Sequence, residues 1–147
     1  MTPTNQDLSL YKTRIAQCLM LLRYGVGIVF LMWTFDKFLN PDHTVSVFER
    51  YYKIPGLGIM AAYAIGTIQL ALVVSFLAGA FKKYSYGLIF ILHTISTLSA
   101  YGKYLDPWSP PNLLFYAAFP MLAACWALWA LRDLDTKFSF DARKVVN

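Results

Sequence analysis

The sequence predicts an all-α polytopic membrane protein, a bundle of four transmembrane helices with a short interfacial helix between the first and second spans. Three observations predict it. Of 147 residues, 58% are hydrophobic and 14% charged, a balance that excludes an ordinary soluble domain and a disordered chain alike. Four apolar stretches approach the roughly 20 residues that a helix needs to cross a bilayer, and they leave little chain for anything else. The lysines and arginines flank those stretches, where they read as topology signals. The formal charge of +5 therefore implies a lipid bilayer as partner and no nucleic acid.

The first span is expected at about 15–39, after polar residues 1–10 and an aromatic and basic approach of Tyr11, Lys12 and Arg14. It is too long for a signal-peptide core, follows Asp7 and lacks a small-residue cleavage pattern, so it is read as a retained membrane helix. Asn40-Pro41-Asp42 ends it, because proline disfavours helical geometry in the residue before it. Over 43–53, Val45, Phe48 and Tyr52 recur at i, i+3 and i+7, which predicts an interfacial helix with Asp42 as N-cap and Pro55-Gly56 as its stop.

The second span, about 57–81, carries Gly58, Ala62, Gly66 and Gln69 on one stripe, a small-residue seam for close helix approach. The Lys82-Lys83 turn is so short that the second and third spans must form an antiparallel hairpin. The third span, about 84–101, sets His93, Thr97 and Ala100 on one face, with Ser96 beside them. An aromatic, proline-rich loop leads to the fourth span, about 112–131, in which Pro120 predicts a kink and Trp126 and Trp129 mark the far end. The tail from Arg132 is mixed in charge, with Phe138 and Phe140 placed to rest on the membrane surface. Ala123, Ala127 and Ala130 form a small-residue stripe that would permit a homodimer.

Basic residues near the span ends set the orientation. Lys12, Arg14, Lys82, Lys83, Arg132, Lys137, Arg143 and Lys144 fall on one side, against Lys37, Arg50, Lys53 and Lys103 on the other. The richer side is predicted to be cytoplasmic, with both termini there and the loops 40–55 and 101–111 forming an outer cap.

Arg23, Gly27, Phe30, Thr34 and Lys37 share one helical stripe of the first span. A cation at mid-bilayer costs about 2.5–3.5 kcal/mol on insertion scales, so Arg23 is expected to face the bundle interior or to snorkel to an interface. Counted at about 1.5 Å per residue, Arg23, Gln69 and His93 fall at depths that allow one midplane cavity. There an amide, a guanidinium or an imidazole would hydrogen-bond a quinone carbonyl. The alternative is that the three satisfy one another and only lock the helices together.

A second candidate group lies at the outer end: Trp33, Asp36, Lys37, Glu49, Arg50, Lys103, Asp106 and Trp108. Trp33 and Lys37 are spaced for a cation–π contact, and Asp36 for an ion pair with Arg50 or Lys103. The group reads either as an interfacial anchor and loop clasp or as a docking face for a redox partner. Cys18 and Cys125 belong to no paired or metal-spaced motif and read as buried small hydrophobes. Haem is disfavoured: the only histidine besides His93 is His43, in the outer loop, which leaves a methionine as second ligand. No spacing gathers metal ligands on one helix face, and a nucleophile elbow, a P-loop and a CxxC pair are all missing.

The stretch LRYGVGIVFLMWTFDKFLNP resembles the first helix of the DoxX-like membrane proteins, a group that includes DoxD and MauE. The features that carry the resemblance are Arg23, Gly27, Phe30-Leu31, Asp36-Lys37 and Pro41. The interfacial segment and the polar Gln69 in the second span, where relatives often show glutamate, extend it. The resemblance implies a four-helix bundle serving redox chemistry at the bacterial inner membrane, either as a quinone-linked oxidoreductase component or as a non-catalytic accessory subunit or assembly factor for a larger enzyme. Glutamine at position 69 argues against proton relay there, because an amide does not titrate.

Overall fold

The computed structural model describes residues 5–144, so the outermost residues of the polar N-terminus and of the tail lie outside the described chain. The described residues contain helices, turns and no strand. Helix α1 spans Asn5–Leu39. It begins ten residues before the expected span, because the polar approach continues the same helix, with residues 6–15 exposed. α2 spans Pro41–Tyr52. Its N-cap is Asn40, not Asp42: Pro41 opens the helix, where a missing N–H costs nothing, and the Asn40 side chain turns back to Asp36 Oδ1 at 3.1 Å instead of capping. Lys53 ends α2 in the left-handed conformation, and the turn at Pro55-Gly56 leads to α3, Ile59–Leu77.

Ala78 to Phe81 turn the chain into α4, Lys82–Ser99, followed by the single turn α5, Tyr101–Tyr104. After the proline-rich loop, a 3-10 helix over Asn112–Ala117 feeds directly into α6, Ala118–Ala130. Pro120 lacks the N–H that would close an α-helical bond to the carbonyl of Tyr116, and the chain before it is wound more tightly. The expected kink is thus a 3-10-to-α junction. A second 3-10 turn, Arg132–Leu134, and α7, Phe140–Lys144, complete the described chain.

Among the described residues three helices are long and apolar enough to cross a membrane: Gln6–Leu39, Ile59–Leu77 and Asn112–Ala130. α4 falls outside that set, since Lys82, Lys83, Ser85, His93 and Thr97 dilute its apolar content, yet it packs against α3 and α6 and buries Ser85, Tyr86, Ile89, His93 and Thr97. Thr34 of α1 meets Gln69 of α3, and Phe38 stacks on Tyr63, so these helices run antiparallel. α4 runs alongside α1 in the same direction, with Tyr86 at Arg23 and His93 against Phe30 and Trp33. α6 returns antiparallel, with Trp126 and Trp129 against Phe90 and Ala118 at His93.

The core is built from Leu19, Val26 and Phe30 of α1, Val73 and Phe76 of α3, Tyr86 and Ile89 of α4, and Cys125 and Leu128 of α6. Outside it, Leu21, Ile28, Met32, Ile68, Val74, Ile95 and Leu98 stay exposed, so these helices are apolar on both faces, the pattern of segments solvated by lipid. The small-residue seam of α3 packs against α1: a Cβ added at Gly66 would lie 3.0 Å from Phe38 Cζ and 3.2 Å from Lys37 Cβ. The tail packs against the end of the bundle, with Phe138 and Phe140 left exposed. Its backbone reaches the α3–α4 turn, with Phe140 N–H donating to Ala78 O at 2.9 Å and Asp141 N–H to Gly79 O at 3.2 Å.

Candidate functional site

Arg23, Gln69 and His93 occupy three different surroundings. Arg23 sits at the end of the bundle closed by the α3–α4 turn, fully buried. Its Nη1 donates to Asp135 Oδ2 at 2.9 Å and to Tyr86 Oη at 3.3 Å, and its Nη2 donates to the carbonyls of Lys137 at 2.7 Å and Phe138 at 3.1 Å. Tyr86 Oη donates to the same Asp135 oxygen at 2.7 Å. Lys82 Nζ closes the loop over this pair through the carbonyls of Arg132 and Asp135, at 3.2 and 2.9 Å. The guanidinium faces the bundle interior, the first of the two expectations for it, but most of its partners come from the tail and neither Gln69 nor His93 is among them. Asp135 and Lys82 give no sequence signal of their own, since Asp135 sits in a charged segment that reads as surface and Lys82 in a turn.

Gln69 Nε2 donates to Thr34 Oγ1 at 3.0 Å, and Thr34 in turn donates to Phe30 O at 2.7 Å. This is a helix-to-helix tie between α1 and α3. Neither Arg23 nor Gln69 lines the large cavity of the bundle.

His93 does. A cavity of about 980 Å³ lies between α1, α4 and α6, covered at one end by α2, α5 and the 3-10 helix. Its walls divide by chemistry. Toward the α2 end stand Trp33, Tyr51, His93, Ser96, Thr97 and Tyr104; along α1 toward the other end run Leu22, Gly25 and Cys18. A pocket of this size, apolar with a few convergent polar groups, is the usual form of a small-molecule site. Cys18 is exposed, and only Cys125 is the buried small residue expected of both.

His93 is 2% exposed. Its Nε2 lies 3.1 Å from Ala118 O, its ring stacks on Trp33 with centroids 6.0 Å apart, and its Nδ1 is buried without a partner. Tyr104 Oη is buried and unpartnered as well, its ring held by Phe119 and Tyr116 at 5.0 and 5.6 Å. Burial, with the nearby Tyr116 phenol as the smaller cause, pushes the Tyr104 phenol above its ordinary value, so it is a neutral hydroxyl at physiological pH. Buried polar atoms usually find partners, and these two lack one in residues that line the cavity. Tyr104 and the cavity role of Trp33 escape sequence reading, because both look like interfacial aromatics.

The outer group does not form one cluster. Asp36 pairs with His43, Nδ1 to Oδ2 at 2.6 Å, and with Asn40, rather than with Arg50 or Lys103. The expected cation–π contact is replaced by a bond from Lys37 Nζ to the Trp33 carbonyl at 3.1 Å, since the lysine stem lies back along its own helix. Lys103 Nζ stands over the Phe115 ring at 6.0 Å. Asp106 accepts from Ser109 Oγ at 2.5 Å, and its carbonyl accepts from Asn112 Nδ2 at 2.8 Å. Glu49 and Arg50 are exposed beside a smaller cavity of about 550 Å³ that His43 also lines. Trp108 is 82% exposed. Among the described residues no group of three or more His, Cys, Asp or Glu is placed to hold a metal.

No curated protein and no solved structure matches the chain. A family described as methylamine utilisation protein MauE matches over residues 15–107, a stretch holding Arg23, Trp33, Gln69, His93 and Tyr104 but ending before Asp135. That match covers well over half of a chain whose apolar helices are those of a membrane protein, and the chain therefore belongs to the MauE family.

Proposed function

We propose that this protein binds a quinone or a similar lipid in the cavity at His93 and serves a membrane redox system. The observation that carries the proposal is the apolar cavity of about 980 Å³ between α1, α4 and α6, with the few polar side chains His93, Ser96, Thr97 and Tyr104 among those that line it. In this reading α4 crosses the bilayer with the three more apolar helices, sheltered by α1, α3 and α6, so that its polar face never meets lipid. The family's description as a methylamine utilisation protein supports service to a larger enzymatic system. The excess of basic residues at the α3–α4 turn and the tail supports both termini being cytoplasmic, in a bacterial inner membrane. The site is then His93, Trp33 and Tyr104, with Arg23 and Gln69 as packing residues.

A second reading, a non-catalytic accessory subunit or assembly factor, is favoured by the outer loop, where Leu105 and Trp108 are 79% and 82% exposed. Mass spectrometry of the gently extracted protein separates the two. A quinone or similar lipid bound at about one per chain, and lost on Thr97→Trp, which fills the His93 end of the cavity, supports the first. An empty cavity with a stoichiometric larger partner supports the second and defeats the first.

A further inference from the structure

The α3–α4 turn and the tail sort their charges between inside and outside. Asp135 is fully buried against Arg23, and Asp141 accepts from the backbone N–H groups of Phe81 and Lys82. Lys82 is occupied as well, by the carbonyls of Arg132 and Asp135. Lys83 and Lys137 are exposed, and of the three acids in the described tail only Asp133 is exposed beside them. Turning the other two acids inward gives this end a basic surface that the mixed charge of the tail sequence does not show.

Two phenylalanines stand on the same surface. Phe81 and Phe138 have φ of +50° and +48° and are 62% and 69% exposed. The left-handed conformation is costly for a large side chain and persists only where the surrounding structure holds it. Here the fold holds both: Phe81 N–H donates to Asp141, and Phe138 O accepts from the buried Arg23. The two lie on segments that touch, since Phe140 N–H reaches Ala78 O and Ser139 Oγ reaches Gly79 O. The length of α3 gives their depth. Its 19 residues at about 1.5 Å each make roughly 28 Å, close to the roughly 30 Å of a bilayer's hydrocarbon core. Four residues beyond its end, Phe81 stands at headgroup level, where aromatic rings are favoured.

We infer that this end of the bundle is a docking surface for anionic phospholipid, with Lys83 and Lys137 paired to headgroup phosphates and the Phe81 and Phe138 rings set among the groups just below them. Charge complementarity selects the lipid, because a lysine close to a membrane surface is attracted by anionic headgroups and not by zwitterionic ones. The surface is independent of the cavity and of what the cavity holds.

The test is lipid retention by the full chain, drawn from nanodiscs of equal parts phosphatidylglycerol and phosphatidylcholine and counted by native mass spectrometry. The wild type is expected to retain phosphatidylglycerol about twentyfold over phosphatidylcholine, about fivefold for each lysine, and to lose the preference after a wash in strong salt. Lys83→Gln with Lys137→Gln is expected to reduce it to about twofold. Arg50→Gln with Lys53→Gln, an exposed pair at the opposite end, is expected to leave it unchanged. Phe138→Asn removes the ring but keeps a residue that tolerates the left-handed backbone; it is expected to retain about threefold less phosphatidylglycerol and to melt no lower than the wild type in detergent. Equal retention of the two lipids by the wild type, or equal loss of preference in the two double variants, overturns the inference. Displacement of the lipid by an excess of glycerol phosphate overturns it too, since the site would then be one for soluble phosphate. A lower melting temperature of Phe138→Asn with undiminished retention makes the ring a packing group and overturns the aromatic half of the surface.

Discussion

Arg23 and Asp135 each have a fully buried side chain, and at this scale a charge is defined by what would be left if its partner were removed. Breaking a buried pair strands an uncompensated ion, at a cost of about 3–5 kcal/mol. Asp135→Ala is therefore expected to destabilise the protein by that amount in detergent denaturation. Arg23→Met combined with Asp135→Leu should recover much of it, because the double change strands no ion. Tyr86→Phe removes one donor to Asp135 Oδ2 and leaves Arg23 in place, so a smaller loss of about 1–2 kcal/mol is expected. If Asp135→Ala unfolds no more easily than Tyr86→Phe, the pair is not the anchor described. That Arg23 faces inward was legible in its stripe with Phe30 and Thr34. Its partner was not, since 112 residues separate the two and nothing in the local pattern of either announces the other.

Among the elements, the α3–α4 turn is the one most tightly specified. Gly79 has φ +61°, and a Cβ there would lie 2.5 Å from Arg23 Nη1 and 3.0 Å from Ser139 Cα. Gly56 has a similar φ of +76° but open space around it. Both substitutions to alanine incur the left-handed penalty of about 1–2 kcal/mol, and only Gly79→Ala must also displace the tail. The expected order of apparent melting temperatures is wild type, Gly56→Ala, Gly79→Ala; equal melting of the two variants would show that the tail does not press on the turn. The same turn is capped from a distance. Asp141 accepts from Phe81 N–H at 3.1 Å and Lys82 N–H at 3.0 Å, doing for α4 what an N-cap side chain does locally, so Asp141→Ala should cost about 1 kcal/mol in the same assay. The turn lies at Ala78–Phe81 and not at Lys82-Lys83, which open α4, but the hairpin was legible as a short break between two apolar stretches, as were α2 and the seam of α3. The trans cap and the 3-10 start of α6 were not, because both depend on neighbours outside the local window.

For the whole molecule, the tail closes the bundle: Arg23, Lys82 and Gly79 all find partners between Arg132 and Asp141. A chain ending after Leu131 leaves the Arg23 guanidinium without its acceptors and should lose the monodisperse folded fraction in detergent. Adding Arg23→Met should restore part of it, and no restoration would mean that the tail acts through packing rather than through that charge. The sequence by itself determined that this is an all-helical membrane protein and roughly where its apolar helices lie, because lipid demands long apolar helices. Only the tertiary structure decided that Arg23, Gln69 and His93 belong to three different places, that the tail enters the bundle and that a cavity opens between α1, α4 and α6. Those depend on the rotation of each helix about its axis and on contacts between distant segments, which helical periodicity narrows to a face but does not pair.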